Sequence, residues 1–271
     1  MIVHDMPDEV YHSRPELSST GARRILESPA KFKWEQDHPS RPTPAMILGT
    51  ATHTKVLGVG SPVVTYPEEH LTPSGNVSTK AVTVAWEAEQ MAAGRVLLSR
   101  RDAAKVDAMA EAVLAHLEAR QFLEAVEGRE VSVFADVEGV PTRARFDIYN
   151  GRKAGDLKTA LDSSPGGFNR SVAHRGYHIQ ERFYRDAYQA ETGGELEEFK
   201  FIVVENTAPY LVGVYDLDFM WAELGMKKVK EARDLWRRCT ETGTWPGYGT
   251  ATLTPPTWAV YENEDAEEFT F

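Results

Sequence analysis

A chain of 271 residues, 42% of them hydrophobic and six of them tryptophan, is long enough to bury a substantial core as one large domain or two small ones. No apolar run reaches membrane-spanning length, and the N-terminus lacks the charged and then apolar pattern of a secretion signal, so we expect a cytoplasmic protein with no membrane partner. The single cysteine, Cys239, excludes an internal disulfide and cannot by itself build a thiolate metal site.

The first part of the chain, to about residue 127, is predicted to be mainly helical. Hydroxyl caps and apolar residues spaced at three and four positions are typical of amphipathic helices. A loop rich in proline and glycine is expected over 58–78. The predicted helices run from Leu17 to Ser28-Pro29, where the first one ends or restarts, and then over about 45–57, 79–93 and 102–126.

The part from about 128 to 245 is predicted to hold a sheet and its covering helices, followed by a tail over about 246–271. Strands are expected over 130–137, 142–149, 153–159, 198–205 and 210–215, and helices over 166–173, 177–192 and 218–242. The acidic run from Glu262 to Glu268 is typical of a solvated chain end. With no internal repeat and no clean linker, a single α/β domain over 1–271 is the simplest architecture.

A predicted hairpin in this sheet carries two carboxylates and an amine. Asn150-Gly151 is a strong reversal signal between two runs of strand-forming residues. Because side chains alternate along a strand, Asp156 and Lys158 share one face while Leu157 points to the other. Two carboxylates held together repel, which favours a hard cation between them, and Asp147 supplies the second carboxylate. The alternative is an exposed hairpin whose charged groups are merely solvated.

Charge is unevenly distributed along the chain. The net charge of −11 argues against a nucleic-acid partner, but the window 143–185 holds nine Lys and Arg against four Asp and Glu, whereas 186–271 holds seven against seventeen. The basic excess therefore surrounds the hairpin, where it can engage phosphates. For any one residue a solvated charged face is the ordinary alternative. The candidate DNA contacts are Arg143, Arg145, Arg170, Arg175 and Arg182.

An aromatic stripe marks the helix predicted over 177–192. Tyr177, Gln180, Tyr184 and Tyr188 fall on one face by their spacing. Gln180 is the unusual member, and it either satisfies a buried backbone group or positions a phosphate or water beside the hairpin.

Five motifs in this order resemble the RecB-type branch of the PD-(D/E)XK nuclease superfamily, and the opening of the chain resembles the phage and prophage RecE-like (exonuclease VIII) proteins. The resemblance covers about residues 10–215. It departs at Ala154-Gly155, which stands where an apolar residue with proline is usual. The matching segments are Gly49-Thr50-Ala51-Thr52-His53, Glu130, Asp147, Asp156-Leu157-Lys158-Thr159 and Gln180-Glu181-Arg182-Phe183-Tyr184.

The resemblance implies a restriction-endonuclease-like core, a mixed central sheet flanked by helices, and a role for each matching residue. Asp147, Asp156 and the Leu157 carbonyl would ligate metal, and His53 would bind a second ion or hold its water. Lys158 would orient the attacking water, Gln180 that water or the phosphate, and Tyr184 would support the site. Glu130 would belong to the site or be an edge-strand carboxylate.

The implied activity is hydrolysis of one strand of duplex DNA by two Mg²⁺ ions, for which Mn²⁺ can substitute. Through the family, the expected polarity is 5′→3′ from double-stranded ends. The remaining 3′ tail would pass to a RecT-like single-strand annealing protein, the subunit would form a homo-oligomeric ring, and the location would be the bacterial host cytoplasm if a phage encodes the chain. Two alternatives remain open: another RecB-type nuclease, Cas4-like or repair-associated, and a non-catalytic DNA-end-binding protein. One cysteine cannot hold the iron–sulfur cluster of Cas4-like enzymes, which disfavours that version.

Overall fold

The computed structural model describes residues 1–38 and 40–260, and these form one mixed sheet with helices on both faces and a small second sheet. None of the helices in this described part is both long and apolar enough to cross a membrane. The helices are α1 (Asp8–His12), α2 (Ser19–Glu27), α3 (Pro29–Asp37), α4 (Pro44–Leu57), α5 (Ala81–Ala92), α6 (Arg100–Ala115), α7 (Leu117–Glu124), α8 (Pro165–Arg175), α9 (Tyr177–Thr192) and α10 (Phe219–Thr242). The strands are β1 (Ile2–Val3), β2 (Leu17–Ser18), β3 (Val63–Thr65), β4 (Val96–Leu98), β5 (Gly128–Val137), β6 (Val140–Tyr149), β7 (Lys153–Ala160), β8 (Glu198–Glu205) and β9 (Val212–Tyr215).

The main sheet has the order β1-β5-β6-β7-β8-β9, and β2 pairs with β6 outside this path. Neighbouring strands are antiparallel except β7 with β8 and β2 with β6. A parallel pair requires a crossover, and helices α8 and α9 provide it between β7 and β8. The expectation of a mixed sheet flanked by helices is confirmed.

Two apolar cores lie on opposite faces of this sheet. One core packs α2, α8, α9 and α10 against residues such as Phe146 and Phe201, and the other packs α4, α6 and α7 against Ile148, Leu157 and Ile202. Leu157 is fully buried in the second core, while its neighbours Asp156 and Lys158 face the other way. The alternation predicted for this strand is therefore present, and it separates the packing residue from the polar ones.

Gly155, at the position where the sequence departs from the pattern it resembles, is closely surrounded. A Cβ atom at this position would lie 2.7 Å from a ring carbon of Phe122 on α7 and 2.9 Å from the Lys200 carbonyl oxygen. Both distances are shorter than a van der Waals contact, so a larger residue would force α7 and β8 away from β7.

Three of the predicted elements were wrong in detail. The helix expected over 102–126 is two helices, because His116 has extended backbone and its side chain caps α7 by accepting from the Ala119 amide. The loop expected over 58–78 contains β3, which pairs in parallel with the unpredicted β4. Strand β9 begins later than predicted because Tyr210 has a φ of 61°, outside the extended region.

The N-terminal part is helical as predicted but also supplies β1 and β2 to the main sheet. Two-residue strands are too short for alternation to reveal them. The acidic run from Glu262 to Glu268 lies outside the described residues.

Candidate metal and catalytic site

The site lies in a fork between β6 and β7. The two strands form the predicted hairpin but pair only next to its turn, at Ile148 with Gly155 and at Tyr149 with Ala154. Beyond this point they part, and β6 pairs with β2 instead. Asp147 and Asp156 are the first residues beyond the last pair, so their side chains enter the gap. Both are buried, with exposed fractions of 7% and 3%.

Asp147 is held by the opposite branch of the fork. Its Oδ2 accepts a hydrogen bond of 2.8 Å from the amide nitrogen of Leu157. This bond replaces one that the strands would have made to each other, so the parting of the strands costs no unsatisfied amide here.

Asp156 is oriented from two sides. Its Oδ1 accepts from Nε2 of Gln180 on α9 at 2.5 Å, and its Oδ2 forms an ion pair with Nζ of Lys158. The ammonium of Lys158 also lies over the Tyr177 ring, 4.8 Å from its centre. The structure thus brings together Asp147, Asp156, Lys158 and Gln180.

The α9 stripe lies along the hairpin over its whole length. Tyr177 lies beside Lys158, Gln180 reaches Asp156, and the hydroxyl of Tyr188 donates to the Gly151 carbonyl in the turn. The ring of Tyr184 packs edge-on against Phe146, and burial raises the pKa of its hydroxyl well above the usual range. The hydroxyl therefore stays protonated and can serve only as a neutral hydrogen-bonding group.

His53 reaches the fork from α4 on the other face of the sheet. Its Nε2 lies 2.5 Å from the Leu157 carbonyl oxygen, and its Nδ1 lies 3.5 Å from Oδ2 of Asp147. A carbonyl oxygen can only accept, so Nε2 carries the proton and the lone pair of Nδ1 faces the fork. Burial lowers the pKa of His53, although Asp156 opposes the shift, so the ring is neutral near pH 7. A neutral imidazole held in this way can bind a metal ion.

Glu130 is the residue whose place was left open, and the structure puts it at the fork. It has a φ of 54° and is skipped in the pairing between β5 and β6, which passes from Arg129 to Val131. The register is the same on both sides of Glu130, so this residue lies opposite Asp147 on β6. Its left-handed backbone, which costs about 1–3 kcal/mol of strain, turns its side chain toward the site. Ligand atoms of His53, Glu130 and Asp147 all lie within 4.8 Å of one another.

Three of the five predicted DNA-binding arginines are engaged inside the protein. The guanidinium of Arg143 lies 4.9 Å from the centre of the Tyr11 ring and donates to the Tyr11 carbonyl. Arg145 binds Asp8 and Glu130, each at 2.8 Å, and fastens the N-terminal segment to β5 and β6. These internal contacts engage part of each guanidinium, and a phosphate contact by either arginine stays a prediction.

Arg182 also has a partner inside the protein, and its phosphate contact likewise stays a prediction. It lies two residues from Gln180 on α9 and therefore points away from the hairpin, toward α10. Its Nε forms an ion pair of 2.7 Å with Asp186. Arg170 and Arg175 do lie on the surface beside Lys158, where Arg170 pairs with Asp162 at 3.1 Å. A phosphate contact by these two stays a prediction.

Sequence reasoning missed several cations at this place, among them Arg23 on α2. It borders the same surface as Lys158 and Arg175. The motif around it, from Leu17 to Leu26, indicated only a capped helix, and helical spacing carries no information about which side chain faces a site formed by a distant hairpin.

Comparison with known proteins places the chain in a family. Residues 18–254 match the model of a PDDEXK-like domain of unknown function (DUF3799). The chain belongs to this family. No curated protein matches it significantly. Among solved structures, a protein described as a "putative exonuclease" from Eubacterium rectale aligns over 96% of this chain and 98% of its own, with a TM-score of 0.62 and 11% identity. At that identity the likeness shows the shared fold alone.

The donor set of this PDDEXK-like domain fits a divalent metal ion. His53 offers a neutral nitrogen, and Glu130 and Asp147 offer carboxylate oxygens within 4.8 Å of it and of each other. Asp156 adds a further negative charge beside this cluster, with its oxygens directed at Gln180 and Lys158. Burial, followed by repulsion from Asp156 and Glu130, raises the pKa of Asp147 well above its usual range. Burial also raises the pKa of Glu130 to about 6, although Arg145 opposes it. Such crowding of acidic groups is unfavourable without a cation and favourable with one. Family and site together support a nuclease.

The crowding predicts that Asp147→Asn stabilises the metal-free protein at pH 7.5. Folding raises the pKa of Asp147, so the folded state favours the protonated carboxyl. The contribution of this group to the free energy of unfolding is therefore present at acid pH and is lost as pH rises through the folded pKa. Asparagine can still accept from the Leu157 amide without carrying charge. We expect a gain on the order of 1 kcal/mol, the usual size of a single-residue effect on stability.

Urea unfolding in EDTA at pH 7.5 and at pH 4.5 measures this. The gain should shrink at the lower pH, where the wild-type carboxyl approaches its neutral form. Added Mg²⁺ should reverse the order by stabilising the wild type more than the variant. A variant less stable than wild type at both pH values in EDTA contradicts the prediction.

Proposed function

We propose that this protein is a divalent-metal-dependent exonuclease that hydrolyses one strand of double-stranded DNA from its ends. The observation that carries the proposal is the convergence of His53, Glu130, Asp147, Asp156 and Lys158 on one fork, from α4 and three strands. Carboxylates, a neutral imidazole and an ammonium held together in this way suit phosphodiester hydrolysis better than a structural metal site, which would enclose its ion fully.

The residues at the fork would hold Mg²⁺, or Mn²⁺ in its place, through His53, Glu130, Asp147 and Asp156, with the Leu157 carbonyl beside them. Two ions per site follow from the family resemblance. When bound, they would supply Lewis-acid charge against the negative charge that builds up on the phosphate group.

Lys158 supplies a fixed positive charge. Burial alone would lower the pKa of its amine, but attraction to Asp156, together with Tyr177 and Asp147, outweighs this and raises it. The ammonium therefore donates and cannot act as a general base near neutral pH. Its role in the proposal is to orient the attacking water or a phosphate oxygen and to offset the phosphate charge.

Gln180 and Tyr184 keep the site in this arrangement. The amide of Gln180 holds one oxygen of Asp156, so the other oxygen remains toward Lys158 and the fork. Tyr184 packs between Phe146 and Phe199 and so fixes the position of α9 relative to the hairpin. Preorganisation of this kind lowers the reorganisation needed during reaction.

The finer parts of the proposal rest on the RecE-like resemblance. These are 5′→3′ polarity, a 3′ single-stranded tail used in recombination, a RecT-like annealing partner and a ring-shaped homo-oligomer. None of these features is needed for the chemistry at the fork.

The test is digestion of a linear duplex labelled at the 5′ or the 3′ end of the same strand, with Mg²⁺ and with EDTA. We expect prompt release of the 5′ label as a short product, gradual shortening of the 3′-labelled strand, and no reaction in EDTA. Prompt release of the 3′ label would reverse the polarity. Binding of duplex ends without hydrolysis in Mg²⁺ would instead identify a non-catalytic end-binding protein.

A further inference from the structure

A basic groove begins at Lys158 and runs away from the fork between α2, α8 and α10. We define it by Arg23, Arg24, Lys158, Arg175, Tyr177 and Lys228, and its volume is about 750 Å³. Five of its lining residues are Lys or Arg and one, Glu27, is acidic. In a protein with a net charge of −11, this is a local reversal of sign at the catalytic lysine.

Arg23 is a partly buried cation of the basic groove that forms no ion pair within the described residues. Its Nη1 donates to the Arg175 carbonyl and its Nη2 to the Thr20 hydroxyl at 2.9 Å. Its buried Nε has no hydrogen-bond partner. Asp156 attracts the guanidinium but forms its ion pair with Lys158 instead. A partly buried guanidinium held only by neutral groups is costly unless an anion approaches it.

Two more cations of the basic groove are accessible. Arg175 is exposed and forms no ion pair within the described chain, and Lys228 pairs with Glu231, which is itself half exposed. Such contacts with solvent-exposed partners exchange readily for a phosphate. The groove therefore offers several phosphate-binding groups in succession from Lys158 outward.

The opposite end of the site has the opposite charge. A second groove of about 420 Å³ reaches Glu130 and is lined by Asp5, Asp8, Glu9 and Glu130. Its two arginines are already bound: Arg145 pairs with Asp8 and Glu130, and Arg129 donates to the Leu57 carbonyl. Because Glu130, Asp147 and Asp156 lie on successive strands of the sheet, the two grooves adjoin opposite sides of the fork.

From this asymmetry we infer that the phosphates of the DNA strand bind along the basic groove, with Arg23 as a positioning residue, and that the strand ends at the fork. The acidic side repels further phosphates, so a strand that continues through the site is disfavoured relative to one that terminates there. The inference rests on the proposed function and adds to it the path of the strand and a physical reason for acting at ends.

A matched pair of charge reversals on α10 tests the path. Lys228→Glu changes a groove residue, whereas Lys227→Glu makes the same change in net charge on the same helix at an exposed position outside the groove. Binding of a short fluorescein-labelled duplex is measured by anisotropy in the Asp156→Asn background, so that hydrolysis does not interfere. We expect Lys228→Glu to weaken binding about tenfold and to lower the slope of log affinity against log salt concentration by about the value of one phosphate contact. Lys227→Glu should weaken binding about twofold or less.

Arg23 is tested in the otherwise wild-type enzyme by the split between KM and kcat. Arg23→Gln should raise KM for duplex about tenfold with little change in kcat, and Arg23→Lys should recover part of the loss because it restores the charge. Urea unfolding of each variant shows whether α2 stays packed. If the Arg23 variants are destabilised, Arg175→Glu replaces them, because Arg175 is exposed. It should likewise raise KM for duplex with little change in kcat.

Equal binding by the two α10 variants, in an enzyme that still digests linear duplex, overturns the inference and leaves the proposed function intact. A protein that never hydrolyses DNA but loses binding only with Lys228→Glu overturns the proposed function and supports the groove as a nucleic-acid surface.

Discussion

Asp156→Asn is expected to lower Mg²⁺-dependent hydrolysis of duplex DNA by about 10³-fold or more, roughly 4 kcal/mol of transition-state stabilisation. Asparagine can still accept the hydrogen bond from Gln180, so the local structure should persist. What is lost is the negative charge that faces Lys158 and the fork, and with it part of the attraction for a divalent ion. Single-turnover digestion at saturating Mg²⁺ measures the effect.

Asp234→Asn is the matched control for this change. Asp234 lies on α10, is more than half exposed and pairs with Arg237, so the same chemical substitution there should leave the rate within about twofold. Isothermal titration with Mn²⁺ adds a readout independent of turnover, in which Asp156→Asn should bind more weakly. An Asp156→Asn variant with nearly full activity would remove this carboxylate from the chemistry.

Lys158→Met is expected to lower kcat by about 10²–10⁴-fold. Methionine keeps the length of the side chain and its contact with Tyr177 but removes the ammonium that faces Asp156. Because the pKa of Lys158 is raised, the wild-type amine stays charged across neutral and mildly alkaline pH. The loss should therefore be the same at pH 7 and at pH 9.

Lys153→Met controls for this substitution on the same strand. Lys153 is exposed at the start of β7, where it pairs with Glu198 at 2.8 Å, and its loss should change the rate little. A deficit of Lys158→Met that grows steadily with pH would indicate that the wild-type amine acts as a base in its neutral form, contrary to the role proposed here.

Much of the candidate site could be predicted from the sequence because its geometry is local. Alternation along β7 is enough to put Asp156 and Lys158 on one face and Leu157 in a core. Helical spacing is enough to align Gln180 with its tyrosines, and the structure then lays that stripe along the hairpin. These relations hold over a few residues and depend little on the rest of the fold.

Glu130 and the arginines show where local rules stop. Strand periodicity could not assign Glu130, because its left-handed backbone interrupts the extended conformation on which alternation along β5 depends. Clustering of positive charge drew attention to Arg145, yet its neighbours in space, Asp8 and Glu130, were far away in sequence. Only their proximity decides that this guanidinium is paired internally rather than free for phosphate.

The sequence by itself determined the α/β class, the hairpin with its two carboxylates and lysine, and the helix that supports them, since periodicity and turn chemistry specify these over short distances. Tertiary structure alone decided that β6 leaves β7 beyond the turn and pairs with β2, which opens the fork that Asp147 and Asp156 enter. It also brought His53 and Glu130 to that fork and Arg23 to the groove beside Lys158, each from a separate element. Such long-range placement depends on how two cores pack on opposite faces of one sheet, which no short stretch of residues encodes.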